Sequence, residues 1–209
     1  MVQNPEITPE LVLGAYTLGL FPMAPSASAR ELYWFNPEKR GVLPLAEFHM
    51  PRSLRKFLHK HPFTYSADMA FEQVIQACAE VNEGRKDTWI NPEIIALYCE
   101  LARRGHAHSI ETWQDGKLVG GLYGVSLGGA FFGESMFSRA TNASKAALTV
   151  LVQALRRAGF TLLDTQFLNR TLAQFGAVEI SRENYMQQLE EALAADIRFP
   201  EAGSIMLYI

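Results

Sequence analysis

Between Ala107 and Gln166 the chain switches from helical to strand periodicity and back, and this switch narrows the available folds more than any other feature. Ala107 to Trp113, Leu118 to Ser126 and Ala130 to Ser138 read as three strands, with Asp115-Gly116 and Gly128-Gly129 as hairpin turn signals between them. Ala143 to Ala158 is strongly periodic at helical spacing, with Asn142 placed to cap it and Gly159 to stop it. Thr161 to Gln166 is again an apolar strand. The order predicts an α+β protein: a mixed sheet with a helix packed across it.

The remaining elements are shorter. Thr8-Pro9-Glu10 starts a helix that Gly19 ends. Phe21 to Pro25 and Ser26 to Arg30 are expected to be loop, and Tyr33 to Pro37 a short aromatic segment. Arg52 to His59 reads as a basic helix with Leu54, Phe57 and Leu58 inward. Asp68 is placed to cap a helix carrying Phe71, Val74, Ile75 and Cys78, and Asn82 to Thr88 forms a polar turn. Asn91-Pro92-Glu93 opens a helix with Ile94, Leu97, Tyr98 and Leu101 on one face, ended by Gly105. After Gln166 come a short helix to Phe175, a longer one from Ser181, and a strand near Ile205 to Tyr208. Two parts are expected, a small irregular N-terminal domain over residues 1–65 and a larger domain over 66–209. The element order of the second is that of the acetyltransferase-like (GNAT) fold.

Composition sets broad limits. At 209 residues and 48% hydrophobic, the chain can build one substantial core or a core with a smaller domain. Its apolar runs are too short to span a membrane, and Met1 to Glu6 lacks a signal peptide's basic and apolar regions. A cytoplasmic location is therefore expected. Cys78 and Cys99 read as buried, reduced thiols, and no Cys or His pair has zinc spacing supported by a second pair, so no metal is expected. The formal charge of −3 argues against a protein that coats nucleic acid. The stretch from Glu38 to His61 is nonetheless locally basic through Lys39, Arg40, Arg52, Arg55, Lys56 and Lys60. Such a face could meet a phosphate backbone or be a solvated helix surface.

Three polar side chains lie inside apolar strands. Glu134 sits among Phe131, Phe132, Met136 and Phe137, where a carboxylate needs a cation, donors or a chemical role. It is either a structural acid or a group that binds a cation or accepts a proton. Asp164 and Gln166 are two apart, so they share a strand face, with Thr165 on the other. An acid beside an amide can orient it so that its carbonyl oxygen accepts from an attacking amine; a solvated strand end is the competing reading. Asn169 could join this cluster. Asn142 to Lys145, with Ser144, could contact an anion or simply cap the helix. The Arg/Gln-x-x-Gly-x-Gly/Ala signature that binds acetyl-CoA before this helix is missing. Trp34, Phe35 and Trp89 could stack on a base or cover the junction of the two parts. His106 and His108 have no nucleophile to pair with.

Longer runs of the sequence resemble one family, the leucyl/phenylalanyl-tRNA–protein transferases, nearly end to end. They are Gly19 to Met23, Trp34 to Pro37 with Arg40, Arg52 to Lys56, Asp87 to Ile90, Gly105 to Glu111, Leu118 to Gly124, Phe131 to Lys145 and Leu163 to Gln166. Phe-Phe-Gly-Glu-Ser-Met-Phe-Ser followed by Asn-Ala-Ser-Lys is the most specific of them. The resemblance implies a small N-terminal domain joined to a GNAT-like domain working without CoA; no cofactor and a monomeric chain are expected. It implies transfer of Leu or Phe, and less well Met, from aminoacyl-tRNA to the N-terminal amine of proteins beginning with Arg or Lys, marking them for proteolysis. It casts Gln166, Asp164 and Glu134 as catalytic, and Asn169, Met136, Phe137, Leu148, Phe35, Trp34, Trp89 and Ser144 as substrate-binding. Arg52, Arg55, Lys56 and Lys60 would meet the tRNA backbone. The chain departs from the family at Phe35, where a second tryptophan is frequent, at Thr171, where a histidine is common, and at Pro51. A CoA-dependent N-acyltransferase and a non-catalytic tRNA-binding module are the rival readings.

Overall fold

The computed structural model of the protein describes residues 7–29, 31–60, 62–81 and 87–208. The expectations for Met1 to Glu6, for Arg30 and for most of the Asn82 to Thr88 turn fall outside these residues. Helix α1 (Pro9–Thr17) begins with Thr8 accepting from the Leu11 amide, and strands β1 (Phe21–Met23) and β2 (Tyr33–Phe35) pair antiparallel. Then follow β3 (Lys39–Val42), α2 (Arg52–Leu58), β4 (Thr64–Ala67), α3 (Phe71–Ala79) and α4 (Pro92–Arg103). Strands β5 (Ala107–Gln114), β6 (Lys117–Leu127) and β7 (Ala130–Ser138) form the expected hairpins, and α5 (Ala143–Ala158) crosses to β8 (Leu162–Gln166). The chain closes with α6 (Arg170–Ala173), β9 (Val178–Ser181), α7 (Arg182–Leu193) and β10 (Gly203–Ile205).

Among the described residues the main sheet has eight strands in the order β10-β4-β5-β6-β7-β8-β3-β9. Among these strands β7 and β8 pair parallel, because α5 carries the chain back across the sheet between them, and the other neighbouring pairs in the described residues are antiparallel. Each face buries its own apolar layer. Val12 and Tyr16 of α1, Val74 and Ile75 of α3, Ile94 and Tyr98 of α4 and Tyr185 and Leu189 of α7 pack with Tyr123 and Phe132 on one side. On the other, Leu148, Leu151 and Leu155 of α5 pack with Leu54 and Leu58 of α2, Leu172 of α6 and Phe131. The fold is α+β, a mixed sheet flanked by helices, with the hairpin-strand-helix-strand order read from the sequence.

Several local expectations are corrected. Phe21 to Met23 is a strand because its backbone pairs with the aromatic segment, Phe21 opposite Phe35. Lys39–Val42 and Val178–Ser181, unread as strands, lie side by side at the sheet edge. Asp68 does not cap α3: at φ 56 it accepts from the Ser109 amide and contacts His108 Nδ1, both at 2.7 Å. The buried Glu111 instead receives the Met69 and Ala70 amides at the start of α3. Asn142 makes no side-chain cap, and Ser138 Oγ accepts from the Ser144 amide in its place. These are tertiary contacts, invisible to local sequence rules.

Helix α5 lies against β6 at Gly120, where a Cβ would be 2.5 Å from Ala143 Cβ and 2.9 Å from its carbonyl carbon. Gly120→Ala is expected to cost about 1–3 kcal/mol through overpacking. Urea unfolding measures this, and an unchanged midpoint would contradict the contact.

Candidate active site

Strands β7 and β8 pair only from Ala130 to Phe132 and from Leu162 to Asp164. Beyond that point they part, and a cavity of about 260 Å³ opens between Gly133 to Met136 of β7 and Leu163 and Thr165 of β8. Leu148 and Leu151 of α5 and Leu122 and Tyr123 of β6 line it, with Asn169 and Leu172 at the α6 end. Its wall is mainly apolar, and among the described residues Glu134 is its one carboxylate.

A β-bulge places that carboxylate. Tyr123 pairs with Ser135 while the next residue, Gly124, pairs with Gly133, so Glu134 is the extra residue. A bulge re-aims side chains and reverses the facing of the strand residues beyond it. Phe131 and Met136 consequently share the α5 face, whereas Phe132 and Phe137 share the other. Phe137, expected beside Met136 in the pocket, does not line it: neighbouring strand residues point to opposite faces, and Phe137 packs over Gly121.

Glu134 Oε1 accepts from Tyr16 Oη at 2.6 Å and from Gln166 Nε2 at 2.8 Å, while Oε2 has, among the described residues, a long contact of 3.4 Å to Tyr98 Oη. Tyr16 and Tyr98 share a further hydrogen bond of 2.6 Å. Among the described residues Glu134 has no cationic partner within ion-pair distance. Burial therefore dominates and raises its pKa to about 7, against the lowering effect of the Tyr16 and Gln166 donors. Burial and the Glu134 charge push the Tyr16 and Tyr98 hydroxyls upward, so both stay protonated as donors.

Asp164 lies on the same face but is held differently. It is fully buried, and Arg40 grips it with Nε at 2.9 Å from Oδ1 and Nη2 at 2.6 Å from Oδ2. Tyr185 Oη donates to Oδ2 at 2.7 Å, and Arg40 Nη1 donates to the Gly19 carbonyl at 2.9 Å. The guanidinium lies 4.5 Å from the ring centroids of both Phe21 and Tyr185. Burial opposes the Arg40 charge, but the Asp164 carboxylate outweighs it and holds the guanidinium more firmly protonated than usual. Asp164 does not touch the Gln166 carboxamide. Its Oδ1 accepts the Gln166 backbone N–H at 2.7 Å, and Glu134 takes the side-chain amide. With the NH2 group turned to Glu134, the carboxamide oxygen has no partner among the described residues.

The other expected positions separate. Asn169 lines the cavity and caps α6 by accepting from the Leu172 amide at 2.9 Å. Phe35 is 37% exposed and stacks on Phe21 at 5.7 Å. Trp34 and Trp89 are partly buried against the core, and Ser144 stands at the start of α5 outside the cavity. Arg52, Arg55, Lys56 and Lys60 are exposed on and just after α2, opposite its buried Leu54 and Leu58. Arg40, a member of the same basic stretch in the sequence, is only 1% exposed. The supporting residues Arg40, Tyr16, Tyr98 and Tyr185 carry no local signal of their own. Only the need of a buried acid for a partner points to such residues. Among the described residues no three His, Cys, Asp or Glu side chains converge to hold a metal ion, and no helix is long and apolar enough to cross a membrane.

Comparison with known proteins supplies the family. Residues 42–190 match the family model for leucyl/phenylalanyl-tRNA protein transferase, and residues 5–38 match the model for its N-terminal domain. The chain belongs to this family. It is 57% identical over 187 residues to the leucyl/phenylalanyl-tRNA–protein transferase of Rhizorhabdus wittichii, covering 90% of this chain and 75% of that protein. To the protein of the same name in Paramagnetospirillum magneticum it is 54% identical over 199 residues, covering 95% of each. To that of Zymomonas mobilis it is 52% identical over 198 residues, covering 95% of this chain and 74% of the relative. Among solved structures, L-PGS from Bacillus licheniformis aligns at a TM-score of 0.49 and 12% identity, over 75% of this chain and 65% of that one's length.

The raised pKa of Glu134 makes a signed prediction. Its folded value of about 7 exceeds the ordinary 4.5, so its contribution to stability is full below pH 4.5 and is lost as pH rises through about 7. Glu134→Gln removes that loss. The melting temperature of the variant relative to the unsubstituted protein is therefore expected to climb between pH 4.5 and 7 and to level off above. A constant difference across this range would contradict the raised value.

Proposed function

We propose that this protein transfers Leu or Phe, and less well Met, from aminoacyl-tRNA to the N-terminal amine of proteins beginning with Arg or Lys, and so marks them for N-end-rule proteolysis. One observation carries the reading beyond family membership: an apolar cavity whose one carboxylate, among the described residues, is hydrogen-bonded to a carboxamide. Leu122, Met136, Leu148, Leu151, Leu163 and Leu172 offer the donor side chain an apolar surround. Such a wall accepts Leu, Phe and Met with limited discrimination and disfavours polar side chains.

The aminoacyl ester is already activated, so the main task is to hold a neutral amine against its carbonyl carbon. The Gln166 oxygen accepts one N–H of that amine, which aims the nitrogen lone pair at the ester. Glu134 fixes the polarity of this interaction, because the carboxamide nitrogen is committed to Oε1. Attack forms the C–N bond, and collapse of the tetrahedral intermediate breaks the C–O bond to the tRNA ribose. The amine gives up one proton and the ribose oxygen gains one. A protein N-terminus titrates near about 7.7–8.0. Glu134, at about 7, is matched to exchange a proton with it through Oε2, its less occupied oxygen. The cations Arg52, Arg55, Lys56 and Lys60 would meet the acceptor stem, with Phe35 and Trp89 near the terminal adenosine.

Labelled leucyl-tRNA offered to peptides differing only at their first residue tests the proposal. Arg- and Lys-initiated peptides are expected to accept leucine and an Ala-initiated peptide to accept little. Equal labelling of all three would remove the acceptor assignment, and binding of acetyl-CoA without any transfer would favour the CoA-dependent reading. Gln166→Ala is expected to lower single-turnover transfer by about 10²-fold or more while tRNA affinity stays within about twofold. A non-catalytic binding module would show no such split.

Replacing Arg52, Arg55 and Lys56 together is expected to raise the KM for tRNA. It should also reduce the slope of log affinity against log salt by roughly 0.7–0.9 for each phosphate left unneutralised. Identical salt dependence would detach α2 from the tRNA.

A further inference from the structure

We propose that Arg40 and Gly41 are positioning residues for the Gln166 carboxamide: neighbours on β3, they hold the backbone turn from which that side chain leaves toward Glu134. The proposal rests on the reading of Gln166 as the group that accepts the amine. Its own basis is the geometry of the turn.

Gln166 has φ 62, in the left-handed region that a residue with a side chain seldom occupies without support. Two devices from β3 supply that support. First, the Gln166 N–H is tied to Asp164 Oδ1, and the Asp164 carboxylate cannot rotate because Arg40 binds both its oxygens and Tyr185 binds Oδ2. Second, Gly41 pairs directly with Gln166, at a bulge in the β3–β8 register. A Cβ on Gly41 would lie 2.7 Å from the Phe167 carbonyl carbon and 2.8 Å from the Leu168 nitrogen. Both are backbone atoms, so the turn itself would have to move. Arg40 thus acts through Asp164, and Gly41 acts by leaving room. If either fails, Gln166 can relax toward extended backbone and swing its amide off Glu134.

Glu134 reports on this arrangement without any substrate. The groups that face it are Tyr16 from α1, Tyr98 from α4, Gln166 and Asp164 from β8 and, further off, Arg40 from β3. The Gln166 hydrogen bond and the Arg40 charge lower the Glu134 pKa, while burial and Asp164 raise it. Gly41→Ala changes no charge and deletes no polar group, so a rise in the Glu134 midpoint in that variant means the Gln166 hydrogen bond is broken.

The test uses the full chain with Gly41→Ala, Arg40→Lys and Tyr185→Phe. The Glu134 midpoint is followed by NMR of 13C-carboxyl-labelled glutamate, with Glu134→Gln to assign the signal. Leucyl transfer to an Arg-initiated peptide is measured in single turnovers, with tRNA affinity alongside. In Gly41→Ala we expect a transfer rate at least tenfold lower, tRNA affinity within twofold and an upward-shifted Glu134 midpoint. Arg40→Lys keeps the charge but loses the fork, and should lie between this variant and the unsubstituted protein. A folded Gly41→Ala protein with unaltered transfer and an unaltered midpoint would overturn the proposal. Tyr185→Phe keeps the ring over Arg40 and removes one donor to Asp164. It should slow transfer a few-fold with the same upward shift, and unaltered behaviour there would overturn the proposal even if Gly41→Ala does not fold. Because the titration needs no substrate, upward-shifted midpoints in these variants alongside an unsubstituted protein that itself transfers nothing would support the positioning geometry and overturn the transferase reading instead.

Discussion

The buried pair of Arg40 and Asp164 is the interaction on which the rest of the site depends. Both side chains are withdrawn from water, at 1% and 0% exposure, and such a pair persists only when every remaining donor and lone pair is engaged. Here the surroundings meet that condition from several sides. Arg40 uses its fork on Asp164 and its remaining nitrogen on the Gly19 carbonyl, while Phe21 and Tyr185 hold its two sides. The end of α1, strands β1, β3 and β8 and helix α7 are thereby joined at one guanidinium. Residues that the sequence spreads from 19 to 185 become one rigid support.

Two carboxylates on one sheet face have opposite electrostatic surroundings, and the difference suits them to different tasks. Asp164 faces a fixed cation and uses its oxygens to hold backbone. Glu134 has donors but no cation among the described residues, so burial prevails and brings its titration to about 7, where a proton can move either way under ordinary conditions. A single extra residue in β7 creates this contrast, since the bulge at Glu134 turns it toward the tyrosines while Met136 returns to the cavity wall. The separation of β7 from β8 beyond Phe132 then provides the space.

Much of this is legible locally. Hairpin turns at Asp115-Gly116 and Gly128-Gly129, the helical period of α5 and the Asn91-Pro92 start of α4 are signals written within a few residues, and the elements form where they are expected. The three polar residues inside apolar strands stand out because burying such groups is costly, and Glu134, Asp164 and Gln166 do share a face. Their partnership is not legible. Proximity along the chain suggests that Asp164 serves the Gln166 amide, whereas it serves the Gln166 backbone. The amide belongs to Glu134, far away along the chain. Phe137 is a different case: as the strand neighbour of Met136 it points to the opposite face, and simple alternation already separates the two.

The sequence by itself determined which segments are helix or strand, which side chains are too polar for their surroundings, and the family to which the chain belongs. These rest on periodicity, turn chemistry and runs of residues, all contiguous in the chain. Only the tertiary structure decided that β3 enters the sheet beside β8, that Arg40 is a buried support instead of a surface cation, and that Glu134 orients Gln166. Those outcomes depend on which strands become neighbours, and hence on contacts between residues distant in the chain, 32 positions for Gln166 with Glu134 and more than a hundred for Arg40 with Asp164 and Tyr16 with Glu134.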